Sequence, residues 1–303
     1  MKSTNLDRMI PFQPMSPILT DRLPEGPEWT YQLKWDGYRL IAAIERGQIR
    51  LFSKNMRPMN HLYPEIAEAF ARLPGTLVLD GEAVVMDTET GRPSFQKMQQ
   101  RGRAVRGAAK GDMPPAQYIV FDVLRIGDKD LRPLPFIERD KHLRELAAGW
   151  QAPLYVTDCF DDGRRLWDWV VRHGWEGVVC KRRMSPYREG KAHRDWYKRK
   201  AAREFDVDIV GVVWREGRIA SLIMRENGAY FGRVAAGLDG KLKEKLRLLV
   251  SESEGECPLP DAPPAAKGET IRWLKAPLAA RVTGTEVTGD GILRHPKLIS
   301  LYL

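Results

Sequence analysis

From Trp29 to Ser53 two strand-like runs flank Arg46-Gly47, and in the second apolar and polar positions alternate through Ile49 and Leu51. Pro64 then opens a helical stretch with Ile66, Phe70 and Leu73 on one face, stopped by Pro74-Gly75. The runs "TLVLDGEAVVMD" and "AQYIVFDVLRI" have the texture of buried strands. Helical patterns cover Ile137 to Ala148 and Gly163 to His173, and "GVVCKR" is again a strand. Ahead of all this, Pro11, Pro14, Pro17 and Pro24 make an extended lead-in.

After "KRKAAREFD" the texture changes. The short strands "VDIVGVVW", "IASLIMRE" and "AYFGRVAAG" are separated by turn signals, Asn227-Gly228 among them. A helix follows with Leu242, Leu246 and Leu249 at helical spacing, then a Pro/Ala/Gly-rich loop from Cys257 to Gly268 and more strand-like sequence. Three strands, a helix and further strands predict a small β-barrel of the OB-fold type. The boundary falls near Phe205, giving an α+β domain over residues 1–205 and a barrel domain over 206–303.

Length and composition agree with this division. A chain of 303 residues with 43% apolar content can bury two cores. The net charge of +9 favours polyanionic partners. Cys159, Cys180 and Cys257 are odd in number and lack a C-x-x-C pair, so neither a disulfide framework nor a zinc site is expected. The first residues have no signal-peptide core, and no apolar run reaches membrane-spanning length. The expectation is a soluble, cytoplasmic, nucleoid-associated protein.

One stretch resists the strand pattern. "YQLKWDGYRL" places Lys34, Asp36 and Gly37 inside an apolar run, where a lysine must snorkel, pair with a carboxylate or do chemistry. The string K-x-D-G arises by chance in roughly one chain of this length in fifteen, so alone it decides little. It is followed, in order, by "LDGEAVV" with Asp80 and Glu82, "IVFDVL" with Phe121 and Asp122, "WEGVVCKR" with Glu176 and Lys181, and "DWYKRK" with Lys198 and Lys200. Each lies on a strand or strand end, where sheets can aim polar groups at one pocket.

With these motifs the chain resembles the ATP-dependent DNA ligases of the lysine nucleotidyltransferase superfamily, bacterial end-joining type. "GRPSFQKMQQR", "LPFIERD" and "SPYREGKAHRDWYKRK" add to the likeness, which covers most of residues 10–240. The resemblance implies an adenylation domain of antiparallel sheets and flanking helices ahead of the OB-fold. It also implies sealing of 5′-phosphate/3′-hydroxyl nicks through a lysyl-AMP intermediate. Lys34 is then the nucleophile, its amine kept neutral by nearby Arg39, Lys198 and Lys200, which also hold phosphates. Glu82 and Glu176 are the expected Mg²⁺ ligands, with Asp36 behind them and Mn²⁺ able to substitute. Glu82 has a second reading, on the ribose hydroxyls. Gly37 is expected to let backbone and nucleotide come close.

Phe121 is expected to stack on adenine, and Leu33 to line the nucleotide site. Gln32 stands where similar ligases often carry a glutamate; its carbonyl still accepts an adenine amino proton if the amide is turned that way. Lys54 in "FSKN" replaces the usual arginine and loses its bidentate fork. Arg182-Arg183 and the basic residues from Arg194 to Arg203 are candidate phosphate contacts.

The family's closing R-x-D-K is not visible in "LRHPKLISLYL", so Arg294 and Lys297 are the candidates to replace it. With 33 residues ahead of Lys34, ATP rather than NAD is the expected cofactor, together with Mg²⁺. The expected partners are nicked double-stranded DNA and a DNA-end-binding protein, with the chain itself a monomer. An RNA ligase, an mRNA-capping guanylyltransferase and a non-catalytic nucleic-acid binder are the competing readings.

Overall fold

The computed structural model describes residues 12–73, 75–104, 114–190, 193–252, 254–261, 263–288 and 290–303. They fall into two units, Met1–Ala201 and Ala202–Leu303. In chain order the first unit carries β1 (Ile18–Leu19), β2 (Trp29–Leu33), β3 (Tyr38–Glu45), β4 (Gln48–Ser53), α1 (Pro64–Ala71), β5 (Thr76–Val84), α2 (Phe95–Ala104) and β6 (Gln117–Ile126). It continues with β7 (Lys129–Asp130), α3 (Phe136–Leu146), β8 (Leu154–Val156), α4 (Gly163–Arg172), β9 (Gly177–Arg182) and β10 (Trp196–Lys200). One sheet runs β4-β3-β5-β6-β7, with β8 parallel to β6; the other runs β1-β10-β9-β2.

The strand-like run that starts at Trp29 therefore does not stay in one sheet. β2 belongs to the second sheet and β3 to the first, and Lys34 to Gly37 make the crossing. Gly37 permits it: a Cβ there would sit 2.0 Å from the Ala83 carbonyl oxygen of β5. The close approach at that glycine is to a neighbouring strand's main chain.

The faces of β3 explain the packing on either side. Leu40, Ala42 and Ile44 join Ile66 and Phe70 of α1 in one core, while Ile41 and Ala43 face Phe12, Met15, Tyr187 and Trp196 in another. The far side of β2 and β9, with Trp29, Tyr31, Val178 and Cys180, is covered by Leu166 and Val170 of α4. Each large side chain buried this way contributes roughly 1.5–3 kcal/mol. Asp162 caps α4 by accepting the Arg165 N–H at 3.0 Å.

Some expectations needed revision. Leu73 lies past the end of α1, and Pro74 is outside the described residues. α2 has no apolar stripe to announce it. Its anchor is Arg101, 2% exposed, whose guanidinium donates to the Leu62 and Pro114 carbonyls and pairs with Glu65 at 2.7 Å.

The second unit carries β11 (Arg203–Arg215), β12 (Arg218–Glu226), β13 (Ala229–Val234), α5 (Gly240–Glu252), β14 (Glu254–Gly255), β15 (Glu269–Gly284), β16 (Glu286–Val287), β17 (Leu293–Arg294) and β18 (Lys297–Leu301). The antiparallel order is β13-β12-β11-β15, and β18 pairs with the far edge of β15. The Leu298 N–H donates to the Ala236 carbonyl at 2.9 Å, a parallel bridge that carries β18 back toward the end of β13. Among the described residues this bridge is what joins the two edges, leaving the partly open barrel of an OB-fold. The whole chain is of α+β class. In α5, Leu246 and Val250 are buried while Leu249 is 38% exposed, so the inward stripe steps by four residues where a step of three was expected.

Candidate active site

β9 runs antiparallel to both of its neighbours, so the exit of β2, the entry of β9 and the exit of β10 share one edge of the sheet. That edge gathers Lys34, Glu176 and Lys200. The Lys34 main-chain N–H donates to the Gly177 carbonyl at 2.9 Å, continuing the ladder by one residue. Gly177 must lack a side chain, since a Cβ would fall 2.1 Å from the Arg199 carbonyl oxygen. Edge-on contact between Trp35 and Trp175, ring centroids 5.1 Å apart, ties the two chain segments together just behind. Sequence reasoning did not single out that pair.

Lys34 Nζ lies 2.5 Å from Glu176 Oε2, and Lys200 Nζ lies 3.4 Å from Glu176 Oε1. Glu176 is 7% exposed and bridges the two ammonium groups. Burial alone would push the Lys34 ammonium down, but Glu176, Glu82 and Asp36 together hold it above its ordinary value. The structure thus reverses the expectation of a lowered amine. The nucleophile candidate is stored protonated.

Lys198 behaves oppositely. Burial and the neighbouring charges of Lys34, Lys200 and Lys54 push it down to about 8. Lys54 is exposed, on the rim of a pocket of about 270 Å³ lined also by Gln13, Pro14, Ser16 and Asn55. Glu82 is pushed up to about 8 by burial, against the pull of Lys34 and Arg39. Among the described residues no three His, Cys, Asp or Glu side chains cluster to hold a metal. Glu82, Glu176 and Asp36 can supply a carboxylate or two, which suits Mg²⁺ held jointly with phosphates and water.

Farther along the sheet, Gln32 is 2% exposed and its amide nitrogen donates to Cys159 Sγ at 3.3 Å. Lys181, 1% exposed, donates to the Phe121 carbonyl at 2.8 Å. Its ammonium lies 4.8, 4.4 and 4.2 Å from the ring centroids of Phe121, Phe136 and Trp196. Burial in this aromatic cage pushes Lys181 down to about 8. Phe121 is half-buried at the edge of that cluster. Leu33 turns the other way, into the core beneath α4, so only its main chain faces the Lys34 edge.

Arg39 is committed to another carboxylate. Its Nε and Nη2 donate to Asp80 at 2.8 and 2.5 Å, and Tyr187 donates its hydroxyl to the same carboxylate at 2.7 Å. The expectation of Arg39 as a cation depressing Lys34 is revised: its guanidinium pairs with a buried aspartate, and its charge also pulls on Glu82. Arg139, which sequence reasoning missed, grips Asp122 bidentately at 2.8 and 2.9 Å with both side chains fully buried. The stretch "LPFIERD" held this signal, noticed only as a likeness. Arg182 and Arg183, candidate phosphate contacts, pair with Asp195 and Asp161.

Two family models match the chain: "ATP dependent DNA ligase domain" over residues 13–200 and "ATP dependent DNA ligase C terminal region" over residues 217–301. The chain is similar to the multifunctional non-homologous end joining DNA repair protein LigD of Mycobacterium tuberculosis, with 33% identity over 316 residues, covering 97% of this chain and 39% of that protein. LigD of Pseudomonas aeruginosa is 32% identical over 294 residues, covering 91% of this chain and 34% of the relative. The chain thus spans less than half the length of the curated relatives it matches, 39% and 34% for these two. A solved mycobacterial DNA ligase D complexed with ATP and MES superposes with a TM-score of 0.57 at 32% identity, covering 96% of this chain and 94% of that one.

Proposed function

The chain belongs to the ATP-dependent DNA ligases, and from that membership we propose that it seals 5′-phosphate/3′-hydroxyl nicks in duplex DNA during end-joining repair, charging Lys34 with AMP from ATP. The observation that carries the reading is the Lys34–Glu176–Lys200 cluster at one sheet edge, with Lys198 beside it. A buried carboxylate shared by Lys34 and Lys200, with a third lysine beside them, is a poor structural pair. It is a good place for a triphosphate.

The chemistry follows from these side chains. Lys34 loses its proton and attacks the α-phosphorus; the N–P bond forms as the bond to pyrophosphate breaks. Glu176, whose carboxylate contacts the Lys34 ammonium at 2.5 Å, is the group placed to receive that proton. Lys198 and Lys200 stabilise the charge that develops on the phosphates. Mg²⁺ at Glu176 or Glu82, with Asp36 behind, would neutralise the carboxylates and so loosen their hold on the proton. Gln32 and Phe121 meet the base, Glu82 serves the ribose in its second role, and Lys54 guards the phosphate end. The 3′-hydroxyl of the nick then displaces AMP from the adenylated 5′-phosphate.

Nicked DNA is the macromolecular partner, gripped through phosphates by both units, so its binding weakens with salt regardless of sequence. The enzyme acts as a monomer at the nucleoid in the cytoplasm, helped by a protein that holds broken ends. Among the described residues no helix is long and apolar enough to cross a membrane.

Radiolabelled ATP with Mg²⁺ tests the reading directly. A covalent adduct should form, disappear on pyrophosphate addition, and pass its label to a nicked duplex. No adduct with ATP, or adduct from GTP alone, overturns the assignment; nick binding without any adduct points to a non-catalytic binder.

A further inference from the structure

Gln32 does not meet the base pocket as a free amide. Its nitrogen donates to Cys159 Sγ at 3.3 Å, and Cys159 Sγ donates to Asp140 Oδ1 at 3.4 Å. Asp140, on α3, is itself held by Arg144, with Nε to Oδ2 at 2.8 Å and Nη2 to Oδ1 at 3.3 Å. A carboxylate paired with a guanidinium only accepts, so the thiol must point its hydrogen at Asp140. The sulfur then has only lone pairs to offer Gln32. Its partner must be the NH₂ end of the amide. The direction of the chain of hydrogen bonds fixes which way the amide lies.

Adenine carries an exocyclic amino donor where guanine carries an acceptor oxygen. With its NH₂ turned to the sulfur, Gln32 presents its carbonyl on the opposite side, and that oxygen accepts from adenine and repels the guanine oxygen. Turned over, the same amide would donate to guanine. We propose that Cys159 and Asp140 are positioning residues that lock the Gln32 amide carbonyl-inward and so make this chain select ATP over GTP. The inference rests on the reading that Gln32 meets the nucleotide base. Burial, with Asp140 beside it, pushes the Cys159 thiol up, which keeps the S–H proton in place.

The test compares ATP with GTP by kcat/KM for adduct formation in the full chain. Cys159→Ala should lower the ATP/GTP ratio about tenfold, the equivalent of one lost hydrogen bond of about 1.4 kcal/mol. Cys159→Ser, whose hydroxyl donates to Asp140 and accepts from Gln32, should restore the ratio to within about twofold of the parent. On a Gln32→Glu background the alanine change should leave the ratio alone, because a carboxylate has no donor end to turn inward. An unchanged ratio in Cys159→Ala, or the same fall on both backgrounds, overturns the relay. Should Cys159→Ala fold poorly, Asp140→Asn asks the same question. Its amide can donate to sulfur and release the S–H toward Gln32, so an unchanged ratio there also overturns the relay. Failure of the parent chain to form any adduct with ATP brings down the ligase reading and the relay with it; failure of the variants alone leaves the ligase reading standing.

Discussion

Asp80 and Glu82 stand two residues apart on β5 and meet entirely different fates. Asp80 faces Asp122 across the β5–β6 ladder, and each is clasped by a guanidinium, Arg39 and Arg139. Glu82 and Glu176 instead answer to ammonium groups, chiefly Lys34. A guanidinium is charged at every relevant pH and fits a carboxylate in a fixed fork. It makes a joint between elements. An ammonium is a point charge whose proton can leave, so the same carboxylate beside a lysine becomes a titrating site. The two regions use almost the same chemistry, one for holding strands β3, β5 and β6 and helix α3 together, the other for holding a proton until it is needed.

The sharpest way to break that contrast is to put the fork where the point charge is. Lys34→Arg keeps the ion pair with Glu176, so thermal melting should barely change. Adduct formation should fall below detection, because a guanidinium cannot present a neutral amine. Normal labelling of this variant would remove Lys34 from the chemistry.

Next in size is the joint. Arg139→Met leaves Asp122 charged, buried and unpaired, and should destabilise the first unit by about 3–5 kcal/mol in urea unfolding. Replacing both partners, Asp122→Leu with Arg139→Met, should recover most of that loss. If the single change is harmless, the pair is no structural device.

Lys198→Ala and Lys200→Ala should each slow adduct formation by about 2–4 kcal/mol in barrier, with melting little affected. Loss of nick binding at unchanged adduct rate would make this cluster a DNA surface instead.

The smallest effect is on pH. Lys198 loses its charge as pH rises through about 8, so capture of ATP, read as kcat/KM, should weaken above that value. Below it the rate should rise with pH, since Lys34 must shed a proton that its carboxylate neighbours hold above the ordinary range. Lys198→Arg stays charged throughout, and the alkaline fall should vanish. A fall that persists in that variant assigns it to another group.

The residues that converge at the sheet edge were legible as ordered motifs, because each sits at a strand end and strand ends carry short local signals. Their division of labour was not. Asp80 and Asp122 looked like the equals of Glu82 and Glu176, since nothing local reveals that Arg39 and Arg139 reach them from other elements. The stored proton on Lys34 was equally hidden: it depends on a carboxylate 142 residues away in the chain. The split of the Trp29 run between two sheets escaped notice because β2 and β3 each read as strand-like, and nothing local marks the change of sheet at Lys34 to Gly37. Leu249 misled for a related reason, a three-residue step being as good a helical spacing as the four-residue step to Val250 that the core uses.

The segment from Lys34 to Gly37 also has a mechanical meaning. It is a short span fixed at both ends to different plates: the Lys34 N–H on the Gly177 carbonyl of one, Gly37 pressed against the Ala83 carbonyl of the other. There is no slack to absorb a change in the gap between the plates. Whatever sets that gap, chiefly Ile41, Ala43, Tyr187 and Trp196 packed within it, also sets where the Lys34 main chain is held. The amine's aim is therefore gauged by residues that never touch it.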